Sequence, residues 1–206
     1  MKLHYWIVWL IWLGACMQAS PPTEEKQQTS EAVPTNPIAS FFQQHPSYQS
    51  DGFDFPVGKP NAKGYYNAQA FTKNAHLGDD WNGTGGGNTD LGDPIYAIAN
   101  GYVKHAYDAG PGWGQVVRIS HYLPDDSLHQ WVESLYAHCD SMLVQTGDSV
   151  LRGDQIATIG NANGVYWAHL HFEIRTDSSL VLGGGYAVDT AGYCNPTVFI
   201  QQHRPN

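Results

Sequence analysis

The chain carries little charge, and less of it positive than negative. Only 14% of its 206 residues are charged, with ten Lys and Arg against nineteen Asp and Glu, for a formal net charge of −9. The ten cations are scattered. With no basic stripe to neutralise phosphates, nucleic acid is not an expected partner. Cysteine is scarce as well: three residues, of which Cys16 stands far from Cys139 and Cys194. The apolar run that opens the chain is too short to span a bilayer comfortably, and no stretch reads as an amphipathic helix of any length. What is abundant is hydrophobic and turn-forming: 42% hydrophobic residues, 22 Gly and 12 Tyr. Low charge with many glycines and aromatics suits a turn-rich β protein better than a helical bundle.

Residues 1–15 hold a single Lys followed by an apolar run with three Trp, which is the pattern of an export signal. The run ends in Leu13-Gly14-Ala15-Cys16, which resembles a lipobox. That resemblance implies acylation of Cys16 and a lipid anchor; an ordinary signal peptide or a short uncleaved anchor is the alternative. Residues 16–45, with Ser20–Gln44 rich in Pro, Thr, Ser, Glu and Gln, cannot bury enough surface to offset their ordering entropy and read as a disordered tether. Residues 46–206 are left as the folded domain.

Within that domain Ile95–Lys104, Gln115–Tyr122, Trp131–His138 and Gln155–Ile159 read as strands, and Pro196–Ile200 as a short closing strand. A small repeat runs through them. Gly-Asp, one residue, then Ile or Val occurs at Gly92–Ile95, Gly147–Val150 and Gly153–Ile156, each a turn ahead of a β-branched residue.

The chemistry centres on Ala168-His169-Leu170-His171-Phe172-Glu173-Ile174-Arg175. On a strand, His169 and His171 share one face while Leu170 and Phe172 take the other. Alone, a His-x-His pair fits a solvated strand as readily as a metal site. His76-Leu77-Gly78-Asp79-Asp80 and Tyr136-Ala137-His138 add further candidates. A catalytic zinc takes three His or carboxylate ligands and keeps a fourth position open. His76 qualifies, with Asp80 or its neighbour Asp79. The glycines around them argue for a strand end and the loop leaving it, not a helix.

His-x-x-x-Asp, then Tyr-Ala-His, then His-x-His followed by Phe-Glu-Ile-Arg, in that order, resembles the lysostaphin-type (beta-lytic) zinc metallopeptidases that act on peptidoglycan. Gly92–Val103, Gly147–Gly160 and Asn195-Pro196 are similar to later segments of that family, so the likeness covers roughly residues 53–200. The resemblance implies an all-β, two-sheet antiparallel sandwich of the duplicated hybrid motif type. It implies one zinc ion held by His76, Asp80 and His171, with His138 and His169 as the catalytic pair. It departs from the family around the groove: Tyr65–Phe71 replaces the usual approach to the first ligand, the loop between Asp80 and Gly92 is long, and Cys139 follows Tyr-Ala-His.

These observations together predict an exported, lipid-anchored, monomeric zinc endopeptidase that cuts stem or cross-bridge peptides of peptidoglycan in the cell envelope. The alternative is a wall-binding or amidase-regulating module of the same fold without catalysis. A lipoyl-type carrier lacks its flanked lysine here, and cysteine catalysis by Cys139 fails because neighbours on a strand face opposite ways. Export makes a Cys139–Cys194 disulfide a further expectation, beside two free thiols. Trp81, Trp113, Tyr166 and Trp167 are candidates to line a groove, or simply to complete the core.

Overall fold

Antiparallel pairing organises every ladder among the described residues. The computed structural model describes residues 36–205, so the export signal, Cys16 and the first part of the tether lie outside the described residues. The strands are β1 (Tyr65–Gln69), β2 (Asp79–Gly83), β3 (Pro94–Tyr96), β4 (Gly101–Asp108), β5 (Gln115–Tyr122), β6 (Trp131–Met142), β7 (Ser149–Val150), β8 (Gln155–Ile159), β9 (Leu170–Arg175) and β10 (Tyr193–Cys194). They run in the order β1-β2-β9-β6-β5-β4-β7, with β10 on β9 and the β3–β8 ladder joined through β6. The architecture is mostly β and antiparallel, as the composition suggests. Its two sheets are continuous because β6 serves both: Glu133–Ala137 pairs with β9, and Cys139–Met142 pairs with β8.

Between those two halves β6 carries one residue more than its partner. Gln115 faces Cys139 while Val117 faces Tyr136, and His138 sits in the bulge at φ +62°. The extra residue inverts the alternation of side chains. Before it, Val132 and Tyr136 point into the main core, while Leu135 and Ala137 pack on the opposite face; after it, Cys139 joins the main core. Strict alternation would have sent His138 into the core with Tyr136. The bulge puts it on the outer face, at the cost of a backbone conformation that a residue with a Cβ rarely adopts.

That core is built from Ile95, Ile156 and Ile159 of the β3–β8 ladder together with Val103, Ile119, Leu170, Phe172 and Ile174 of the larger sheet. The repeated Gly-Asp pairs do what turn chemistry requires of them. Gly92, Gly147 and Gly153 all hold positive φ. The carboxylates of Asp148 and Asp154 accept the amides of Gln145 and Leu151, each three residues back, and β7 and β8 start directly after.

Three expectations are corrected. Pro196–Gln202 is a helix (α2), not a strand, because Asn195 caps it by accepting Val198 N–H and Pro196 pre-sets the first turn. That start outweighs the β-branched Thr197, Val198 and Ile200. Pro37–Gln44, expected to be disordered, forms a helix (α1) opened the same way by Asn36 and Pro37. Its Phe42 is buried against Tyr122 and Trp131. The long strand read over Ile95–Lys104 is two strands. At Ala97–Asn100 the backbone bonds elsewhere: Ala97 exchanges hydrogen bonds with Gly153 and Asp154, and Ile98 C=O accepts Asp54 N–H.

One buried core group should make the fold sensitive to acid. His121 is fully buried, with Nδ1 2.8 Å from Asn100 O and Nε2 2.8 Å from the Ser134 hydroxyl. Burial pushes its pKa down to about 4. Between about 6.5 and 4 the unfolded chain binds the proton that the folded chain refuses, so this histidine makes the fold less stable as pH falls through that window. The contribution is about 3 kcal/mol when fully developed. Urea unfolding at pH 7 and pH 5 should show a smaller acid loss in His121→Gln than in the parent chain; equal losses would place the acid sensitivity elsewhere.

Candidate metal centre

Pairing of β2 with β9 brings the first two candidates together, since Asp80 lies directly opposite His171. His76 arrives from the segment before β2, where it forms an isolated bridge with Tyr186. The two residues of the His-x-x-x-Asp motif therefore sit on a loop entering a strand and on the strand itself, the reverse of the order expected from the glycines. Gly78 lies between them because a Cβ there would run into the Phe172 carbonyl and approach Glu173 Cγ to 2.9 Å. Gly78→Ala should therefore push β2 away from β9, lower stability by about 1–3 kcal/mol, and weaken metal binding with it. A variant with parental metal affinity and unfolding midpoint would show that the close approach is not required.

Three donor atoms converge. His76 Nε2 is 2.9 Å from His171 Nδ1 and 3.3 Å from Asp80 Oδ1, and His171 Nδ1 is 3.0 Å from that same oxygen. Donors on a tetrahedral zinc stand about 3.3–3.5 Å apart given bonds of 2.0–2.2 Å, close to this triangle. Its protonation favours a cation as well. His171 Nε2 lies 3.0 Å from Oε1 of the fully buried Glu173, which fixes the proton there and leaves Nδ1 with its lone pair toward Asp80. Two imidazole nitrogens and an anionic oxygen facing one another need protons or a metal ion between them. Burial depresses the His171 imidazolium, but Asp80 and Glu173 outweigh it and raise its pKa to about 9. Burial pushes Asp80 up, and the neighbouring imidazoles of His171 and His76 reverse this, holding it well below the usual carboxylate range. The donor set fits zinc.

Asp79, the rival carboxylate, points away. It is fully buried and accepts Phe71 N–H together with the amide and hydroxyl of Thr197. It ties β2 to α2 and is not free to bind an ion.

The other two histidines border the same cavity of about 400 Å³, with Asp80, His171, Trp113, Tyr166 and Tyr186. The His138 and His169 rings stand 4.8 Å apart. Each has its Nδ1 against a backbone carbonyl, His138 on Trp113 O at 3.2 Å and His169 on Trp167 O at 2.8 Å. Those bonds place the proton on Nδ1 and leave Nε2 as the working atom. His169 Nε2 is 3.8 Å from Asp80 Oδ1. Burial, then the neighbouring His169 and His171, push the His138 pKa down to about 3, so that ring stays neutral.

A second tier behind the site was not evident from the motifs. Glu173 Oε2 accepts Arg175 Nε and Nη2, each at 2.7 Å, and Arg175 is fully buried. Arg175 also donates to the carbonyls of Leu180, Val181 and Leu182. Arg118 adds Leu180 O, Lys104 adds Ser178 O, and Trp113 Nε1 adds Gly183 O. The segment from Ser178 to Gly183 is thus strapped across the sheet, and it delivers Tyr186 beside His76, ring centroids 5.1 Å apart. Period-two reading of β9 would have found Glu173 and Arg175, which lie on the His171 face. Of the aromatics proposed for a groove, Trp113 and Tyr166 line the cavity, Trp167 is 70% exposed next to it, and Trp81 is in the core. Cys139 and Cys194 are both free thiols, and burial raises each to about 12.

The model of the family described as Peptidase family M23 matches residues 80–182, beginning at Asp80. Over 84 residues the chain is 44% identical to Lipoprotein NlpD of Yersinia enterocolitica, covering 41% of this chain and 78% of that protein. It is 43% identical over 84 residues to Murein hydrolase activator NlpD of Escherichia coli (strain K12), covering 41% of this chain but only 20% of the relative. The solution structure of lysostaphin superposes with a TM-score of 0.53 at 18% identity, covering 74% of this chain and 55% of that one, a likeness of fold.

Proposed function

The chain belongs to peptidase family M23, and from that premise we propose that it is a zinc-dependent endopeptidase acting on the stem or cross-bridge peptides of bacterial peptidoglycan. One observation carries the reading: the donor triangle of His76, Asp80 and His171 shares a cavity wall with two histidines whose Nε2 atoms are free.

His76, Asp80 and His171 would hold the ion. A zinc ion there supplies Lewis acidity that polarises a scissile carbonyl and acidifies water. Glu173 orients His171 by taking its Nε2 proton. His138, kept neutral, offers Nε2 as a proton acceptor, and His169 presents a second free Nε2 beside Asp80 to accept or relay a proton. Trp113, Tyr166 and Tyr186 border the cavity and exclude water from the peptide laid into it.

The domain organisation belongs to the same proposal. Residues 1–15 direct export, Cys16 carries the lipid in the cell envelope, a tether reaches to α1, and the monomeric peptidase domain follows. A relative named as a lipoprotein supports the anchor. A second reading comes from the relative named as a murein hydrolase activator: the chain would stimulate another hydrolase. Purified sacculi separate the two. Incubation with the chain should release muropeptides with free peptide ends, and a chelator should stop it. Release only when a second hydrolase is added would favour the activator.

A further inference from the structure

We propose a second divalent-cation site, formed by Asp126, His129 and His203, that staples the turn between β5 and β6 to the end of α2. It shares no residue with the centre described above. His203 caps α2, and its ring lies flat on Phe199 with centroids 4.0 Å apart. Its Nδ1 is 2.8 Å from Phe199 O, which assigns the proton to that atom and leaves Nε2 as a lone-pair donor. Nε2 stands 2.9 Å from Asp126 Oδ2. The other oxygen, Oδ1, is already committed to the amides of Leu128 and His129, each at 2.8 Å. His129 Nδ1 approaches the same Oδ2 at 3.5 Å, and its ring stands edge-on to His203 at 86°.

Three ligand atoms thus lie within 4.8 Å of one another, on side chains 20–30% exposed. An ion can reach them from water, yet they are ordered by neighbours on every side. The His203–Asp126 contact is one side of the cluster, and a second imidazole, His129, turns its Nδ1 toward the same oxygen from the β5–β6 turn. Two imidazoles and a carboxylate are the donor set of borderline divalent ions, zinc first among them. Asp125 lines the adjoining cavity and adds negative potential, while Asp51 there is paired with Arg152, and Arg204 is occupied by Asp54 and by the carbonyls of Phe53 and Pro60. The ligands lie 77 positions apart in the chain, so occupancy ties the C-terminal helix to the sheet.

The test is a zinc count on the whole purified chain after chelator stripping and back-titration. The native chain should take two equivalents. His129→Ala and His203→Ala should each take one and keep the parent's muropeptide release. The double variant His76→Ala/His171→Ala should retain one equivalent, and zinc should still raise its melting temperature. If that variant does not fold, the count on the native chain and on His129→Ala decides. One equivalent in the native chain at saturating zinc, or two in both His129→Ala and His203→Ala, would overturn the second site.

Discussion

Replacing His171 with alanine should empty the centre built on His76, Asp80 and His171, whereas replacing His169 should leave that ion in place and cut turnover. The two positions are alternate residues of one face, yet their surroundings differ. His171 has Nδ1 at the apex of the donor triangle and Nε2 on Glu173, so both ring nitrogens are committed to holding an ion. Without it only His76 and Asp80 remain, one imidazole and one carboxylate. His169 spends Nδ1 on a carbonyl and keeps Nε2 3.8 Å from Asp80, beside the triangle and not in it. Its loss, like that of His138, should lower the rate by about 10²–10⁴-fold, the range for removing a positioned acid or base. Elemental analysis and muropeptide release on both variants check this together. Equal zinc loss in the two would end the division of labour.

Much of that arrangement was legible because strand periodicity is local. His169 and His171 on one side, Leu170 and Phe172 in the core, follows from alternation alone, and β9 obeys it. The place of His138 was not legible in the same way. Its direction depends on a bulge opposite Gln115 and Val117, more than twenty residues away, and nothing within Tyr136-Ala137-His138 announces the extra residue. The direction of Asp79 was not legible either, since it is held by Thr197 on α2, a partner 118 positions along the chain. The helices rest on a local signal: Asn-Pro opens both α1 and α2, and in α2 this start competes with the β propensity of the residues following Pro196. Pairing and capping at a distance, not propensity, decided what the sequence left open.

The largest stability effect should come from Glu173, a residue that touches no substrate. Glu173→Leu removes the carboxylate shared by His171 and Arg175. Arg175 is then a buried guanidinium without a counter-charge, which costs about 3–5 kcal/mol when one partner of such a pair is deleted. Its donors to Leu180, Val181 and Leu182 remain, so the strap from Ser178 to Gly183 loosens without being cut. His171 loses the acceptor that fixed its tautomer, and zinc affinity should fall by about 10–100-fold. Glu173→Gln separates the two effects. The amide oxygen can still accept from one of the two neighbours, so it should recover part of the stability, while the lost charge still weakens the metal. Urea unfolding of the chelator-treated chains reads the first effect and zinc competition reads the second. If Glu173→Leu unfolds at the parent's urea midpoint, the buried Glu173–Arg175 pair is not what holds the strap over the site.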